Sequence, residues 1–155
     1  MHIPVKKGMF EGVVCVNSIY YYDDPKKTVK DFARILKKNG KLIIVTPFIY
    51  PIHDAPYDKY RYTEFGIKKL LEDDFDVKEI VPIGGIFNAP AVVFHSLIKG
   101  LPLLAPKNLK LPTKILTCML LYPFYIIAQI LSLLDFLDKS GRWATHYFTF
   151  AAKRE

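Results

Sequence analysis

The chain has eight glycines, and no two of them stand in a Gly-x-Gly arrangement. A glycine-rich turn that cradles a phosphate or a nucleoside is therefore excluded from these residues. Cysteine is scarce. Cys15 and Cys118 each sit in an apolar run, with no second Cys or His at metal-ligand spacing. That pattern predicts reduced, buried thiols in a reducing, cytoplasmic compartment rather than a disulfide framework or a zinc site. No apolar stretch long enough for a signal-peptide core follows the basic residues of Met1–Lys7. There is no internal repeat and no low-complexity tract. The net charge of +7 raises nucleic acid as a partner, but the lysines fall as pairs (Lys26-Lys27, Lys37-Lys38, Lys68-Lys69) rather than as one stripe. No nucleic-acid motif accompanies them, so solvated helix faces are expected and nucleic acid is not. A mild attraction to an anionic membrane or an acidic substrate remains compatible with that charge.

What is present is apolar. Of 155 residues, 51% are hydrophobic and 24% charged, enough to bury a core, and the mean hydropathy is +0.15. Gly12–Val16 is a short apolar run, the pattern of a parallel strand buried on both faces. A helix follows, with Asp24 as N-cap, Pro25 at its first position and a stripe of Val29, Phe32, Ala33 and Leu36. Asn39-Gly40 predicts its C-terminal stop. Lys41–Thr46 reads as a second buried strand, so the two strands form a parallel βαβ unit with a right-handed crossover. A loop rich in Pro and Tyr runs from Pro47 to Tyr62. Thr63 then caps a helix with Ile67, Leu70 and Leu71 facing inward. Phe75–Pro82 alternates as a strand with one more exposed side, Gly84-Gly85 breaks the pattern, and Thr145–Ala152 reads as a closing strand.

This order, with the stretches IPVKKGMFEGVVCVNSIYYYDDP (Ile3–Pro25), ARILKKNGKLIIVTPF (Ala33–Phe48), YPIHDAPYDKYRYTEFGIKKLLE (Tyr50–Glu72) and THYFTFAAKR (Thr145–Arg154), resembles the C-terminal half of a class I S-adenosylmethionine (SAM)-dependent methyltransferase of the methyltransferase type 11 kind. The third stretch is similar to a branch of that family placed near glycan and cell-envelope methylation. The resemblance implies an α/β, Rossmann-like sheet, N-terminally incomplete, whose last strand enters antiparallel between the fifth and sixth strands of the family. It divides the chain into residues 1–85 (strands 4, 5 and 6 of the family), an apolar helical insertion over 86–141 and a closing strand in 142–155. The implied cofactor is SAM, although the family's first three strands, with their Gly-rich loop and ribose-gripping acid, have no counterpart here. Where many relatives carry Leu-Glu-His after the fourth strand, this chain has Ile19-Tyr20-Tyr21, so no role of that pair is carried over. By resemblance, Asn17 and Ser18 lie where the family's chain runs beside the cofactor, and backbone contact is expected there.

In open parallel sheets a ligand lies across the carboxyl ends of the strands. Gly12–Val16 becomes an edge strand with its next neighbour absent, a template for pairing. A truncated gene product, or a chain that needs a complementing N-terminal half or a second copy of itself, is therefore expected. Direct displacement on a sulfonium needs positioning, and a base only when the acceptor is a hydroxyl or similar group. Tyr20, Tyr21, Tyr22, Tyr50, Tyr57, Tyr60 and Tyr62 cluster in the two loops that follow the strands. Their rings suit a sugar face or the sulfonium, the latter by cation–π attraction of ~0.5–2 kcal/mol; packing beneath the loop is the alternative for some of them. His53 is the candidate base, with Asp58 orienting it or pairing with Arg61, and a structural Asp58–Arg61 ion pair beside a backbone-bonded His53 stands as the alternative. His53, Asp54 and Asp58 match no common metal spacing, and no metal is expected.

The insertion contains two apolar arms, roughly 86–105 and 115–134. Ile115–Leu134 carries no charge and approaches the ~20 residues of a bilayer span. A single crossing would strand the closing strand on the wrong side. Two crossings would carry His95 and Lys99 into the bilayer and Lys107, Lys110 and Lys114 across it, against the positive-inside rule. Two readings remain: a helical hairpin packed on the domain or on a partner subunit, and a hairpin dipping into one membrane face. The functions that follow are methyl transfer to an O or N atom of a glycan, envelope precursor or small metabolite, or a non-catalytic membrane-peripheral or interaction module.

Overall fold

A computed structural model describes residues 3–155. The chain divides into two compact units. The first comprises the stretch up to Phe48, Ile52–Ile83 and His146–Glu155; the second comprises Ile49–Pro51 and Gly84–Thr145.

The first unit is a four-stranded mixed sheet with helices. In chain order it contains β1 (Phe10–Val16), α1 (Pro25–Ile35), β2 (Leu36–Pro47), α2 (Glu64–Leu71), β3 (Phe75–Ile83) and β4 (His146–Lys153). The strand order is β1-β2-β4-β3. β1 runs parallel to β2, and β4 enters between β2 and β3 antiparallel to both, the arrangement expected from the sequence. Both predicted N-caps form: the Asp24 carboxylate accepts from the Lys27 amide at 2.9 Å and Thr63 Oγ1 from the Gly66 amide at 3.1 Å. Each satisfies one of the donors that a helix start leaves open.

One face of the sheet is the core. Leu42, Ile44 and Thr46 of β2 stand opposite Ala151, Thr149 and Tyr147 of β4, and all six are buried. α1 contacts β2 and α2 contacts β3, adding Val29, Phe32, Ala33, Ile67 and Leu71 to the buried set. The other face is more open. β1 is one of the sheet's two edge strands, and Val14 and Val16 are 67% and 54% exposed while Cys15 is buried. The expectation that this strand is covered on both faces is thus corrected, because an edge strand with one solvent-facing side buries only alternate residues.

A second correction concerns the end of α1. The helix stops at Ile35, not at Asn39-Gly40, because Leu36 pairs with Phe10 as the first residue of β2. The pairing resumes at Gly12 with Lys41, so residues 37–40 loop out of the strand. Asn39 takes a φ of 58° within that loop, a conformation that Asn tolerates better than most residues. A Cβ on Gly40 would meet the Leu36 side chain at 2.9 Å and the Lys37 carbonyl at 3.0 Å, so glycine is required by close approach. The Asn-Gly signal was genuine, but it marks a bulge rather than a cap. In β3 the register likewise shifts between Val77 and Glu79, which resets its alternation.

The second unit contains α3 (Ala89–Leu104) and α4 (Lys110–Leu131), an antiparallel helical hairpin followed by a 3-10 segment, Ser132–Leu137. Phe94 stacks on Phe124 with centroids 5.9 Å apart, and His95 lies 5.8 Å from Tyr125. Two carboxylates tie its base. Asp135 accepts from the amides of Gly85, Phe87 and Asn88 at 3.0–3.1 Å, and Asp138 from that of Ile86 at 2.9 Å. A side chain on Gly85 would collide with both acids.

Thr46 and Thr149 are wholly buried, and their hydroxyls find no partner among the described residues. Burying an unpaired hydroxyl is unfavourable. Thr149→Val should therefore stabilise the protein by about 1 kcal/mol, whereas Leu71→Ala should destabilise it by about 2–5 kcal/mol. Chemical denaturation of both variants measures this, and a Thr149→Val protein less stable than the parent would show that the hydroxyl does have a partner.

Candidate functional site

The carboxyl ends of β1 and β2 carry the loops that hold the candidate residues. After β1 the chain turns at Asn17, whose φ is 47° and whose amide donates to the Val45 carbonyl at 2.9 Å. A 3-10 turn, Ile19–Tyr21, then buries Ile19 and Tyr20. After β2, the segment 52–62 folds on a turn in which the Asp54 carbonyl accepts from the amides of Tyr57 and Asp58. The two loops are joined where the Lys59 amide donates to the Tyr20 carbonyl at 3.2 Å, Lys59 pairs with Asp23, and the Tyr60 hydroxyl donates to the Asp23 carbonyl.

Asp58 organises the centre. Its side chain has no solvent-accessible surface, although it is enclosed by its own partners rather than by deep packing. Arg61 holds it with both terminal nitrogens, the second at 2.6 Å from Oδ2. The same Oδ2 lies 3.1 Å from His53 Nδ1 and accepts the His53 amide at 3.2 Å. The Arg61 guanidinium holds the Asp58 carboxyl below its ordinary value, assisted by the backbone bond from His53. Asp58 in turn pushes the Arg61 guanidinium up. Asp58 thus faces the Nδ1 edge of the His53 ring, while Nε2 on the opposite edge lies 3.7 Å from the Asp54 carboxylate.

Nε2 faces two phenols, Tyr20 at 3.3 Å and Tyr21 at 3.2 Å. The Tyr21 hydroxyl donates to the Asp54 carboxylate, and that bond, with the neighbouring Tyr20, raises its pKa well above the ordinary value of 10.0. Tyr21 therefore stays a neutral phenol. The Tyr20 ring lies beneath the guanidinium, with Arg61 Cζ 5.5 Å from its centroid, a cation–π geometry. Tyr60 and Tyr62 stack at 6.0 Å, and burial pushes the Tyr62 phenol up. Tyr57 is exposed and, with Tyr21, Asp54 and Ala55, lines a shallow hollow of about 570 Å³ beside the cluster.

The structure thus brings together Tyr20, Tyr21, His53, Asp58 and Arg61, with Tyr57, Tyr60 and Tyr62 around them. Tyr50 belongs to the second unit. Ser18 is turned to a structural task, its Oγ 3.1 Å from Cys15 Sγ. Two neighbours were missed. Asp54 was weighed only as a metal ligand, yet it positions Tyr21. His146, the first residue of β4, pairs with Pro47 and Ile83 at the carboxyl ends of β2 and β3. Burial lowers its pKa, and the charges of Arg61 and His53 add to that. Its only sequence signal was its place at the start of the closing strand.

A SAM site needs a cradle of backbone amides, and among the described residues Gly85, Ile86, Phe87 and Asn88 offer a converging set. Those donors are already taken by Asp135 and Asp138. The residues present therefore do not fit a complete SAM site.

Residues 1–44 match the family model described as a methyltransferase domain. No curated protein matches the chain in sequence. Among solved structures, it is similar to the [4+2]-cyclase SpnF (TM-score 0.56, 11% identity, covering 97% of this chain and 53% of that one). It is also similar to a candidate methyltransferase from Haloferax volcanii, solved with the Trm112 methyltransferase activator (TM-score 0.55, 16% identity, 99% of this chain and 58% of that one). A third is a candidate sarcosine dimethylglycine methyltransferase from Galdieria sulphuraria (TM-score 0.55, 15% identity, 97% and 55%). The chain spans a little over half the length of these structures. At such identities they show the fold alone: a Rossmann-like class I methyltransferase sheet. One of the three is a cyclase, a reminder that this fold does not dictate one reaction.

Asp58→Asn should destabilise the protein by about 1–2 kcal/mol at pH 7, since a carboxylate serving two partners is replaced by a neutral amide. The Asp58 pKa is depressed on folding, so its contribution is complete above the unfolded value of 3.8 and is lost as pH falls through the lower folded value. The gap between the parent and Asp58→Asn should accordingly narrow below pH 3.8 in denaturant melts. A gap of constant size from pH 7 to pH 3 would rule out the ionised carboxylate as its source.

Proposed function

We propose that this chain, with its class I methyltransferase fold, forms the acceptor-side wall of a SAM-dependent methyltransferase that acts on an O or N atom of a glycan, an envelope precursor or a small metabolite. The observation that carries the reading is the Asp58–His53 pair, which sets Nε2 against the Tyr20 and Tyr21 phenols at the carboxyl end of the sheet. The cofactor grip comes from polypeptide outside these 155 residues, whether continuous with them, a complementing chain or a second copy. SAM, when bound, supplies an electrophilic methyl group.

The chain's own residues supply the acceptor's environment. His53 Nε2 takes the proton of an acceptor hydroxyl, and the resulting imidazolium is stabilised by Asp58 through Nδ1–H. Arg61 keeps Asp58 ionised throughout, so the proton stays on the imidazole. Tyr20 presents its hydroxyl or ring edge to the acceptor, and Tyr21, whose proton is held by Asp54, presents its ring edge. Tyr57 offers an exposed ring for a sugar face. An amine acceptor would use the same base, and an already neutral nitrogen would need none. Both cysteines are free thiols, Cys15 buried and with its pKa raised by burial, which supports a reducing, cytoplasmic setting.

The absence of a fitting cradle supports a second reading, a non-catalytic interaction module built on the same fold. Purifying the protein from its native cells through a tag after Glu155, with whatever polypeptide accompanies it, separates the two. The methyltransferase reading expects saturable SAM binding by calorimetry and methyl transfer from labelled SAM to a cell-extract acceptor. His53→Ala should lower kcat for a hydroxyl acceptor by about 10²–10⁴-fold with SAM affinity unchanged. Absence of SAM binding by the folded native assembly would overturn that reading in favour of the second. Unchanged turnover in His53→Ala would remove His53 as the base.

A further inference from the structure

The helical hairpin leaves an apolar surface on every side of α4 that α3 does not cover. The seam between the helices runs through Thr117 and Ala128, both buried. At about 100° per residue, the exposed Tyr122, Met119, Ile130, Leu116, Leu120 and Leu131 together sweep about 180° of the helix circumference. No charged side chain interrupts that arc. Within Lys107–Leu137 an 18-residue stretch has a mean hydropathy of 1.8 with 11% of it buried, and by length and composition the segment could cross a membrane. A soluble amphipathic helix shows one apolar stripe, and a protein partner covers one face; an arc this wide calls for a surrounding apolar medium.

The charges define the medium further. Between Glu79 and Asp135 the chain has no acidic residue, while it carries Lys99, Lys107, Lys110 and Lys114. At the base, Asp135 and Asp138 are bound to backbone amides, and Lys139 and Arg142 follow. Cations therefore mark both ends of an apolar middle. The hairpin leaves the sheet at Ile83 and returns at His146, and these two are paired neighbours, so both its ends lie on one side of any bilayer. An upright hairpin would bring Lys99 to mid-bilayer and carry the tip lysines toward the far headgroups. A hairpin lying in the plane of one leaflet keeps every cation at the same headgroup layer.

We infer that α3 and α4 form an in-plane anchor that embeds the exposed arc of α4 in one leaflet of an anionic lipid bilayer, with the lysines at the hairpin tip and the cations at its base on anionic headgroups. This goes beyond methyl transfer and does not rest on it. Placed so, the chain would meet acceptors confined to a membrane surface.

Flotation of the purified full chain with vesicles of phosphatidylcholine and 30% phosphatidylglycerol tests the anchor. The chain should float, and should stay bound in 0.5 M salt because apolar burial outlasts screening. Combined Lys107→Glu, Lys110→Glu and Lys114→Glu should weaken vesicle partitioning at least about tenfold. Leu120→Glu, on the exposed arc, should abolish it while circular dichroism stays that of the parent. Leu120→Trp in a Trp143→Phe background should be quenched by brominated lipid, which reports insertion and not mere adsorption. A folded chain that remains at the bottom of the gradient overturns the inference. So does binding that Leu120→Glu leaves intact, or a discrete oligomer in light scattering that buries the arc and does not float.

Discussion

Strand β4 enters the sheet antiparallel, between two strands that run parallel to each other, and much of the first unit depends on that placement. By pairing with β2 over residues 41–47 and with β3 over 75–83, it joins two strands that do not touch one another. It completes the buried face with Tyr147, Thr149 and Ala151. Because it runs backwards, its first residue lies at the carboxyl ends of its neighbours, where ligand-facing loops gather in sheets of this kind. His146 reaches the tyrosine and histidine cluster for that reason alone. The same geometry requires the intervening chain to leave and re-enter at adjacent positions, which makes the insertion a hairpin.

Within the cluster, one carboxylate sets the protonation pattern. Asp58 is shared between Arg61 and His53, so it stays ionised and holds the Nδ1 edge of the imidazole. Asp54 does the opposite for Tyr21, holding its proton in place. Two acidic side chains in one loop thus divide their tasks, one positioning an imidazole and the other keeping a phenol neutral. The principle is that of paired titratable groups whose environments push them apart.

The second unit has a different balance. Its helices bury one another along a narrow seam and are pinned at the base by Asp135 and Asp138, yet the apolar surface left over exceeds what a soluble hairpin normally shows. The two carboxylates that could have repelled an anionic surface are engaged by backbone amides, and the remaining charges are cationic. Composition and hydrogen bonding therefore point the same way.

Much of this was legible in sequence because it is local. Asp24 and Thr63 announce helix starts through bonds to residues three positions on, and the run Val29, Phe32, Ala33 and Leu36 announces burial through its spacing. Tyr20, Tyr21, His53, Asp58 and Arg61 could be nominated from the loops that carry them, and Ile115–Leu134 from its lack of charge. Those are statements about neighbouring residues, and chain chemistry alone determines them. What tertiary structure decided were the outcomes of pairing between distant segments. Leu36 became a strand residue because Phe10 recruited it, which turned Asn39-Gly40 into a bulge. Val14 and Val16 stayed exposed because β1 lies at the edge. Asp54 found Tyr21, and His146 found the electrostatic environment of His53 and Arg61. Each of these depends on which strand lies beside which, a matter of long-range register that no short window of residues contains.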